Sequence, residues 1–164
     1  MNDAMVVEAL LSQYRAALAM LKRAITECPE ELWVAEGFRN RTWHVAYHTL
    51  FYAELYVHAS EAEFTPWTQH CAACRLLGAK AEELKDVAPY TREELLAYHA
   101  RCVAAVEELV PKLPLDGSSG FDWLPFTRLE THIYNIGHIQ HHTGQLAERL
   151  RVARDVGVRW VSSW

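Results

Sequence analysis

The chain has 164 residues, of which 51% are hydrophobic and 23% are charged, and its formal net charge is -5. A chain of this length and composition can bury a core of its own and fits one globular domain spanning residues 1–164. Its lysines and arginines are spread along the chain rather than gathered in a basic stripe, which argues against a nucleic-acid-binding surface.

The start of the chain lacks a secretion-signal layout, and the sequence contains no run of eighteen apolar residues. The best candidate for such a run, residues 45–59, is interrupted by His48, Glu54 and His58. The four cysteines are too few for a disulfide-stapled secreted scaffold. We therefore expect a cytoplasmic protein with reduced thiols and no membrane partner.

The first two predicted elements are long helices. Apolar residues recur at spacings of three and four over residues 4–27, Asp3 stands where it can cap this helix, and Pro29 closes it. Residues 37–41 are predicted to form a loop. An aromatic-rich second helix is then predicted over residues 42–59.

A long middle connection follows over residues 61–89, where the hydrophobic pattern is weak and Pro66 and Gly78 interrupt it. Within it, residues 79–85 are compatible with a short helix. Because the segment contains neither a repeat nor an alternating strand pattern, we expect it to link helices rather than to form a separate unit.

Two further long helices, over residues 91–110 and 127–153, each begin with a Thr-x-x-Glu capping box, in which the two side chains satisfy each other's backbone donors. Residues 111–126 hold three prolines and two glycines and are predicted to form a loop. The two tryptophans of the tail, residues 155–164, are expected to dock on the helices. Together these patterns predict an all-α four-helix bundle with a long middle connection and a short C-terminal tail.

The fourth predicted helix contains three histidines within five residues, in the stretch NIGHIQHHTGQL. His138 and His142 are four residues apart, so on a helix they share one face, and one divalent ion can bridge two imidazoles presented in this way. Helix two offers a second such pair, His44 and His48, and either member can cross the bundle to complete a three-histidine site. A site of this kind with an open fourth position is a catalytic arrangement, because water or a thiol bound there loses its proton near neutral pH.

The plainer interpretation is that these histidines belong to the core or the surface, since a HxxxH pair arises easily by chance in a chain with nine histidines. The second pair on another long helix favours a metal site. Tyr52 is either a pocket residue or an ordinary core aromatic. His141, Gln145 and Asn135 are either neighbours that orient ligands or ordinary residues of the helix face.

Cys71 and Cys74 form a CxxC motif, a pattern found in redox and zinc sites. No βαβ pattern and no second CxxC accompany it, and Cys28 and Cys102 stand alone. We therefore interpret the cysteines as small apolar residues that pack a helix. The remaining histidines without a partner at a useful spacing are interpreted as surface or local hydrogen-bonding residues: His58, His99 and His132.

Three stretches, YHTLFY, PYTREELLAYHARC and RLETHIYNIGHIQHHTGQL, resemble the DinB-like superfamily of small metal-binding bundles, which includes the YfiT-like proteins and thiol-dependent enzymes. The resemblance extends over about residues 5–160. It implies one metal-binding histidine in helix two and a HxxxH pair in helix four, which fall on His48, His138 and His142. His48 is preferred because it stands in the matching context AYHTLF, which leaves His44 as a pocket residue. The implied ion is divalent, and zinc, nickel and iron all accept imidazole.

Two positions depart from the pattern of the family. Relatives often carry arginine where this chain has Thr143 and Gly137. Both changes remove positive charge near the implied site, and they weaken the case for an anionic substrate or a low-molecular-weight thiol cofactor.

Three functions are left open by the sequence. The first is a metal-dependent enzyme, of the thiol-dependent transferase or isomerase type or of the hydrolase type, that acts on a small molecule. The second is a metal-binding stress or sensor-type protein without catalysis. The third is an oligomeric helical scaffold with incidental histidines, because aromatic residues are enriched at interfaces; relatives are often homodimers, so a homodimer is expected in each case. The tryptophans available for an interface are Trp43, Trp67, Trp123, Trp160 and Trp164.

Overall fold

A computed structural model describes residues 3–79, 84 and 86–164, and all the regular elements of this part of the chain are helical. Among the described residues the α-helices are α1 (Asp3–Glu27), α2 (Glu30–Trp33), α3 (Thr42–Leu55), α4 (Arg92–Leu109) and α5 (Arg128–Arg154). Two short 3-10 turns, Glu61–Glu63 and Ala72–Cys74, lie in the connection between α3 and α4. The prediction of an all-α fold is confirmed.

The contacts among the four long helices form a closed ring. Helix α1 packs on α4 and α5, and α3 packs on the same two helices. Helix α3 is buried on nearly all sides, because every one of its residues except Tyr52 is buried. This agrees with its content of apolar and aromatic residues all round the helix. The two helices that carry the histidine pairs, α3 and α5, are therefore in direct contact.

The start of α4 follows the predicted capping box. Thr91 Oγ1 accepts from the Glu94 backbone N–H at 3.1 Å, and Glu94 Oε2 accepts from the Thr91 backbone N–H at 2.8 Å. At the start of α5 only the first of these bonds forms, from the Glu130 N–H to Thr127 Oγ1 at 3.2 Å. The second capping box is therefore only half right, and Thr127 caps α5 alone.

Helix α3 ends at Leu55, four residues before the predicted end. Residues 56–59 do not continue the helix. The carbonyls of the last two, His58 and Ala59, accept hydrogen bonds from the Arg128 guanidinium. It donates to the His58 carbonyl at 2.8 Å and to the Ala59 carbonyl at 2.9 Å. Hydrogen bonds from an ionised donor can replace the backbone hydrogen bonds that these carbonyls would accept in a longer helix. This tertiary contact therefore explains why the helix ends before the hydrophobic pattern does.

Two elements differ from the prediction in other ways. Helix α2 was not expected; it is a single turn anchored by buried Trp33, whose indole N–H donates to the Tyr90 carbonyl at 2.7 Å. The short helix considered for residues 79–85 lies mostly outside the described residues.

The C-terminal tail lies along α1 through polar contacts. The Gln13 side-chain amide donates to the Ser162 carbonyl at 3.0 Å, and the Trp164 N–H donates to Ser12 Oγ at 3.1 Å. Trp160 and Trp164 are 65% and 69% exposed, so the expectation that these indoles dock on the helices is wrong. Backbone and amide contacts attach the tail, which leaves the indoles outside the core.

Helix α1 is long and apolar enough, by length and composition alone, to cross a membrane, a criterion that core helices also meet. Residues 45–59, the best candidate from the sequence, do not meet this criterion, because the helix that they belong to ends at Leu55 and is too short. In the described structure one face of α1 is buried against α4 and α5, with Tyr14, Leu18, Leu21 and Ile25 at its centre.

Candidate metal centre

Three histidine side chains meet where α3 packs on α5. The nitrogen atoms that His48, His138 and His142 can offer to a metal all lie within 4.8 Å of one another. The Nε2 atoms of His48 and His138 are 3.1 Å apart. Two nitrogens bound to one tetrahedral ion at about 2.0–2.1 Å are separated by about 3.3 Å, so the spacing of this pair already suits a shared ion.

Hydrogen bonds fix the orientation of two of these rings. His48 Nδ1 lies 2.7 Å from the Arg75 carbonyl, and His142 Nδ1 lies 2.9 Å from Gln145 Oε1. Both partners are oxygen acceptors, so each Nδ1 carries the proton and each Nε2 keeps a free lone pair. A second hydrogen bond of this kind usually accompanies a metal-binding histidine. His138 Nδ1 is buried and has no hydrogen-bond partner among the described residues.

The surroundings keep the three imidazoles neutral. Burial, which penalises the charged form, lowers the pKa of His48 to about 4, with a smaller contribution from the neighbouring His142. Burial and the charges of the other histidines lower the pKa of His138 to about 3. The pKa of His142 is also lowered, again chiefly by burial. Neutral imidazole is the form that binds metal, so no proton has to be displaced near pH 7.

Tyr52, Gln145 and His141 surround the cluster. The Tyr52 ring centroid is 4.9 Å from that of His48 and 5.7 Å from that of His138. Besides its bond to His142, the Gln145 amide lies 3.2 Å from His141 Nε2. His141 itself is exposed and contacts His142 edge-on at 4.8 Å between centroids. Tyr52 thus lines the cluster, and Gln145 contacts one of its rings directly.

His44 and Asn135 lie outside the cluster. His44 Nε2 is 2.8 Å from the Cys74 carbonyl, and its ring stacks on Trp43 at 5.3 Å between centroids. Asn135 is fully buried and donates to the Ala53 carbonyl at 3.0 Å. Both side chains connect elements of the fold away from the three imidazoles.

A cavity of about 290 Å³ opens beside the histidines. Its walls include three aromatic residues that the sequence did not indicate as pocket residues, Tyr56, Trp123 and Tyr134. Helical spacing from His48 and His138 is a signal for the two tyrosines, whereas Trp123 comes from a loop and carries no such signal. A neighbouring cavity of about 230 Å³ shares Tyr52 and Trp123 and adds the charged pair Arg75 and Glu61.

A larger cavity of about 430 Å³ lies around His44 and Trp43 and is not lined by any of the three clustered histidines. Its other lining residues include Glu36, which pairs with Arg41 at 2.6 Å. Convergent donor groups identify a metal site better than cavity size does, so the smaller cavity is the candidate.

Two other histidines differ from their predicted surroundings. His132 is fully buried, and its Nδ1 lies 3.1 Å from the Tyr14 hydroxyl. His99 is 6% exposed, and its Nε2 lies 2.8 Å from the Leu18 carbonyl. The interpretation of these two as surface or local residues is wrong, because both join α1 to another helix. His58 is half-buried at the end of the α3 segment.

The two glycines that flank the α5 histidines are open rather than closely packed. A Cβ atom at Gly137 or Gly144 would meet nothing within 4 Å in the described structure. Gly137 lines a shallow cavity with Tyr134, His138 and His141. Close packing of these two glycines against other described residues of the chain is therefore excluded, and they leave an open surface beside the cluster.

Comparison with known proteins identifies a family. A family model described as the DinB superfamily matches residues 13–146, a range that runs from α1 into α5 and includes all three clustered histidines. No curated protein and no solved structure matches the chain. Because the family model covers most of the chain, and the helical fold and the histidine cluster agree with it, the chain belongs to the DinB superfamily.

Proposed function

We propose that this chain is a single-domain four-helix bundle, residues 1–164, that binds one divalent metal ion through His48, His138 and His142. The observation that carries the proposal is the convergence of three neutral imidazoles from two helices at a cavity. In two of them the Nδ1 proton is engaged, which leaves Nε2 for the ion. The family match supports the same reading.

The donor set fits a borderline divalent ion. It consists of imidazole nitrogens, and within the described part of the chain no carboxylate or thiol joins the cluster. Zinc, nickel and iron all accept such ligands. Three protein ligands leave a coordination position open, and a divalent ion bound here would act as a Lewis acid that lowers the pKa of water or a thiol at that position.

We propose further that the site is catalytic and acts on a small molecule, as a thiol-dependent transferase or isomerase or as a hydrolase. The support is the aromatic cavity of about 290 Å³ beside the cluster, together with the neighbouring cavity that contains Arg75. Arg75, whose guanidinium also pairs with Glu61 at 3.4 Å, offers near the site a positive charge that Gly137 and Thr143 do not. A small substrate or low-molecular-weight thiol with an anionic group would place that group toward Arg75.

A metal-binding stress or sensor-type protein without catalysis is the second candidate. The observation in its favour is that the cavity nearest the histidines is lined, among the described residues, by imidazole and aromatic side chains alone. Such a cavity offers no carboxylate for general acid–base chemistry. A scaffold without metal fits less well, because it gives no reason for the potential ligand atoms of three histidines to converge within 4.8 Å of one another.

We also propose that the protein is a cytoplasmic homodimer. An exposed apolar surface on α1 and α5 supports the dimer: Met5 and Ile133 are 68% and 59% exposed, and a groove between the helices is lined almost entirely by aliphatic residues. Trp43 is core rather than interface, because it is 2% exposed. The spread of lysines and arginines along the chain supports a function without nucleic acid.

The test of the metal site is metal content measured by inductively coupled plasma mass spectrometry on protein purified without a histidine tag or chelator. We expect about one equivalent of zinc, nickel or iron in the wild type and its loss in His48→Ala and His142→Ala. His141→Ala is the matched control, because it removes an exposed imidazole from the same helix. Wild type that binds no metal after reconstitution, or variants that keep it, would refute the proposal.

A second measurement separates the two candidate functions. Protein reconstituted with cobalt is titrated with a small thiol and with azide, and its visible spectrum is recorded. A shift of the absorption bands shows that the open position accepts an outside ligand, as catalysis requires. An unchanged spectrum would support the non-catalytic candidate.

A further inference from the structure

Two thiols lie in contact in the segment just before Arg75, whose carbonyl contacts His48. Cys71 precedes the 3-10 turn Ala72–Cys74, Cys74 ends it, and the Sγ atoms of the two cysteines are 3.0 Å apart. Both cysteines are free, Cys74 is fully buried and Cys71 is half-buried. A disulfide bond is about 2.05 Å long, so the two sulfurs need to approach by about 1 Å to be joined.

Helix α3 holds this dithiol segment at both ends. The Tyr47 hydroxyl accepts a hydrogen bond from the Cys71 N–H at 3.2 Å, and the Cys74 carbonyl is 2.8 Å from His44 Nε2. The next carbonyl along the chain, that of Arg75, accepts the hydrogen bond from His48 Nδ1. The backbone that orients His48 is therefore covalently continuous with Cys74.

We propose that Cys71 and Cys74 form a redox-sensitive dithiol, and that its oxidation to a disulfide weakens metal binding by displacing the carbonyl that orients His48. The proposal that the disulfide forms depends only on the geometry of the two thiols, whereas its effect on metal affinity rests on the proposed function. The oxidant is a low-molecular-weight disulfide of the glutathione class.

The reaction is a pair of thiol–disulfide exchanges. The half-buried Cys71 thiol, as its thiolate, attacks one sulfur of the small disulfide, which breaks the S–S bond and releases one small thiolate. Cys74 then attacks the Cys71 sulfur, forms the protein disulfide and releases the second small thiolate. The two protons of the protein thiols end on the two released thiols. The protein loses two electrons and the small disulfide gains them.

The positions of the two thiols suit these roles. Cys71 is accessible to a small molecule, whereas Cys74 is buried and needs to reach only Cys71. Because the second exchange is intramolecular, the burial of Cys74 does not prevent it. Burial and its contact with Cys71 raise the pKa of the Cys74 thiol, which keeps it protonated until a mixed disulfide brings it into reaction.

Coupling to His48 follows from the shortness of the connection. Closing the gap of about 1 Å between the two sulfurs requires the side chains and the backbone of this turn to adjust, and the next carbonyl of the same backbone is 2.7 Å from His48 Nδ1. Loss of such a supporting hydrogen bond typically lowers metal affinity by about 10- to 100-fold. We therefore expect oxidised protein to bind the ion about tenfold more weakly than reduced protein.

The first part of the test measures the disulfide. Full-length protein is equilibrated in buffers of graded reduced to oxidised glutathione, quenched with an alkylating agent and mapped by peptide mass spectrometry. We expect a reversible link between residues 71 and 74 that disappears in Cys71→Ser and in Cys74→Ser. Cys28→Ser is the matched control, because Cys28 is a buried free cysteine whose sulfur donates to the Pro29 carbonyl and not to another thiol. No link between residues 71 and 74 at any ratio would overturn the proposal.

The second part measures zinc affinity of reduced and oxidised wild type by competition with a chromophoric chelator. We expect about a tenfold weaker affinity after oxidation, recovery with dithiothreitol, and no redox dependence in Cys71→Ser. Equal affinities in the two states would overturn the coupling. A lower affinity of reduced Cys71→Ser would show that the thiols bind the ion themselves and would overturn it also. Reduced wild type that binds no zinc would refute the metal site, while the peptide map would still decide whether the disulfide forms.

Discussion

Gln145 Oε1 accepts a hydrogen bond from His142 Nδ1 at 2.9 Å, one turn further along the same helix. The contact fixes the tautomer of His142 and turns its Nε2 toward His48 and His138. The Gln145 side chain is exposed, so it can be replaced without disturbing the core.

Replacing Gln145 tests this relationship. Gln145→Leu keeps a strong helix former at this position but removes the acceptor, and we expect metal affinity to fall by about tenfold with the thermal stability of the metal-free protein unchanged. Chelator competition measures the affinity. Gln145→Glu retains an acceptor at the same position and is expected to keep wild-type affinity or exceed it. Equal affinities for the leucine and wild-type proteins would show that Gln145 does not support His142.

Local patterns predicted a large part of the structure. The capping box at Thr91 depends on hydrogen bonds within four residues, and it forms as expected. The spacing of His138 and His142 places their rings together on one face because a helix has a fixed period. Features of this kind can be predicted because the two interacting residues are close to each other in the sequence.

The choice between His44 and His48 could not be made by spacing, because both stand on α3 one turn apart. The structure separates them through the middle connection, in which the Cys74 carbonyl contacts His44 and the Arg75 carbonyl orients His48. Trp123 reaches the cavity from a loop in the same way. These placements depend on tertiary packing of segments without a periodic pattern, which a single sequence does not encode in readable form.

The ion pair between the buried Glu54 and Arg101, whose side chain is 40% exposed, is expected to be important for stability. Glu54 is 1% exposed, and its Oε1 lies 2.6 Å from Arg101 Nε. Removing the guanidinium leaves a buried carboxylate without its partner, so Arg101→Met should lower the free energy of unfolding by about 3 kcal/mol. Lys112→Met is the control, because its pair with Glu108 is exposed and should contribute less than about 1 kcal/mol. Urea denaturation of both variants measures the difference, and similar losses would contradict the prediction.

Gly144 offers a stabilising substitution. It lies inside α5, and a Cβ atom there would meet nothing within 4 Å. Glycine in a helix interior is about 1 kcal/mol less favourable than alanine, so Gly144→Ala should raise the free energy of unfolding by about 0.5–1 kcal/mol. Denaturant melts of the metal-free protein measure it, at two concentrations to reveal any dimer. A destabilised and more monomeric variant would show instead that a second copy packs against Gly144.

The stability of the metal-free protein should fall as the pH is lowered from 7 to 5, and buried His132 should contribute to this. Burial, followed by the charge of Arg128, lowers the pKa of His132 to about 4, against about 6.5 in the unfolded chain. Between these values the unfolded state binds more protons than the folded state, so acid favours unfolding. The contribution of His132 to stability is therefore present above about pH 6.5 and is lost as the pH falls toward 4.

For a group with these two pKa values, linkage gives a loss of about 2 kcal/mol between pH 7 and pH 5. His132→Gln is expected to be less stable than wild type at pH 7, because the contact with the Tyr14 hydroxyl changes, but its stability should depend less steeply on pH by this amount. His141→Gln removes an exposed imidazole and should leave the slope unchanged. Urea melts of all three metal-free proteins across this range measure the slopes. Parallel slopes for wild type and His132→Gln would show that His132 is already protonated in the folded protein or does not titrate in this range.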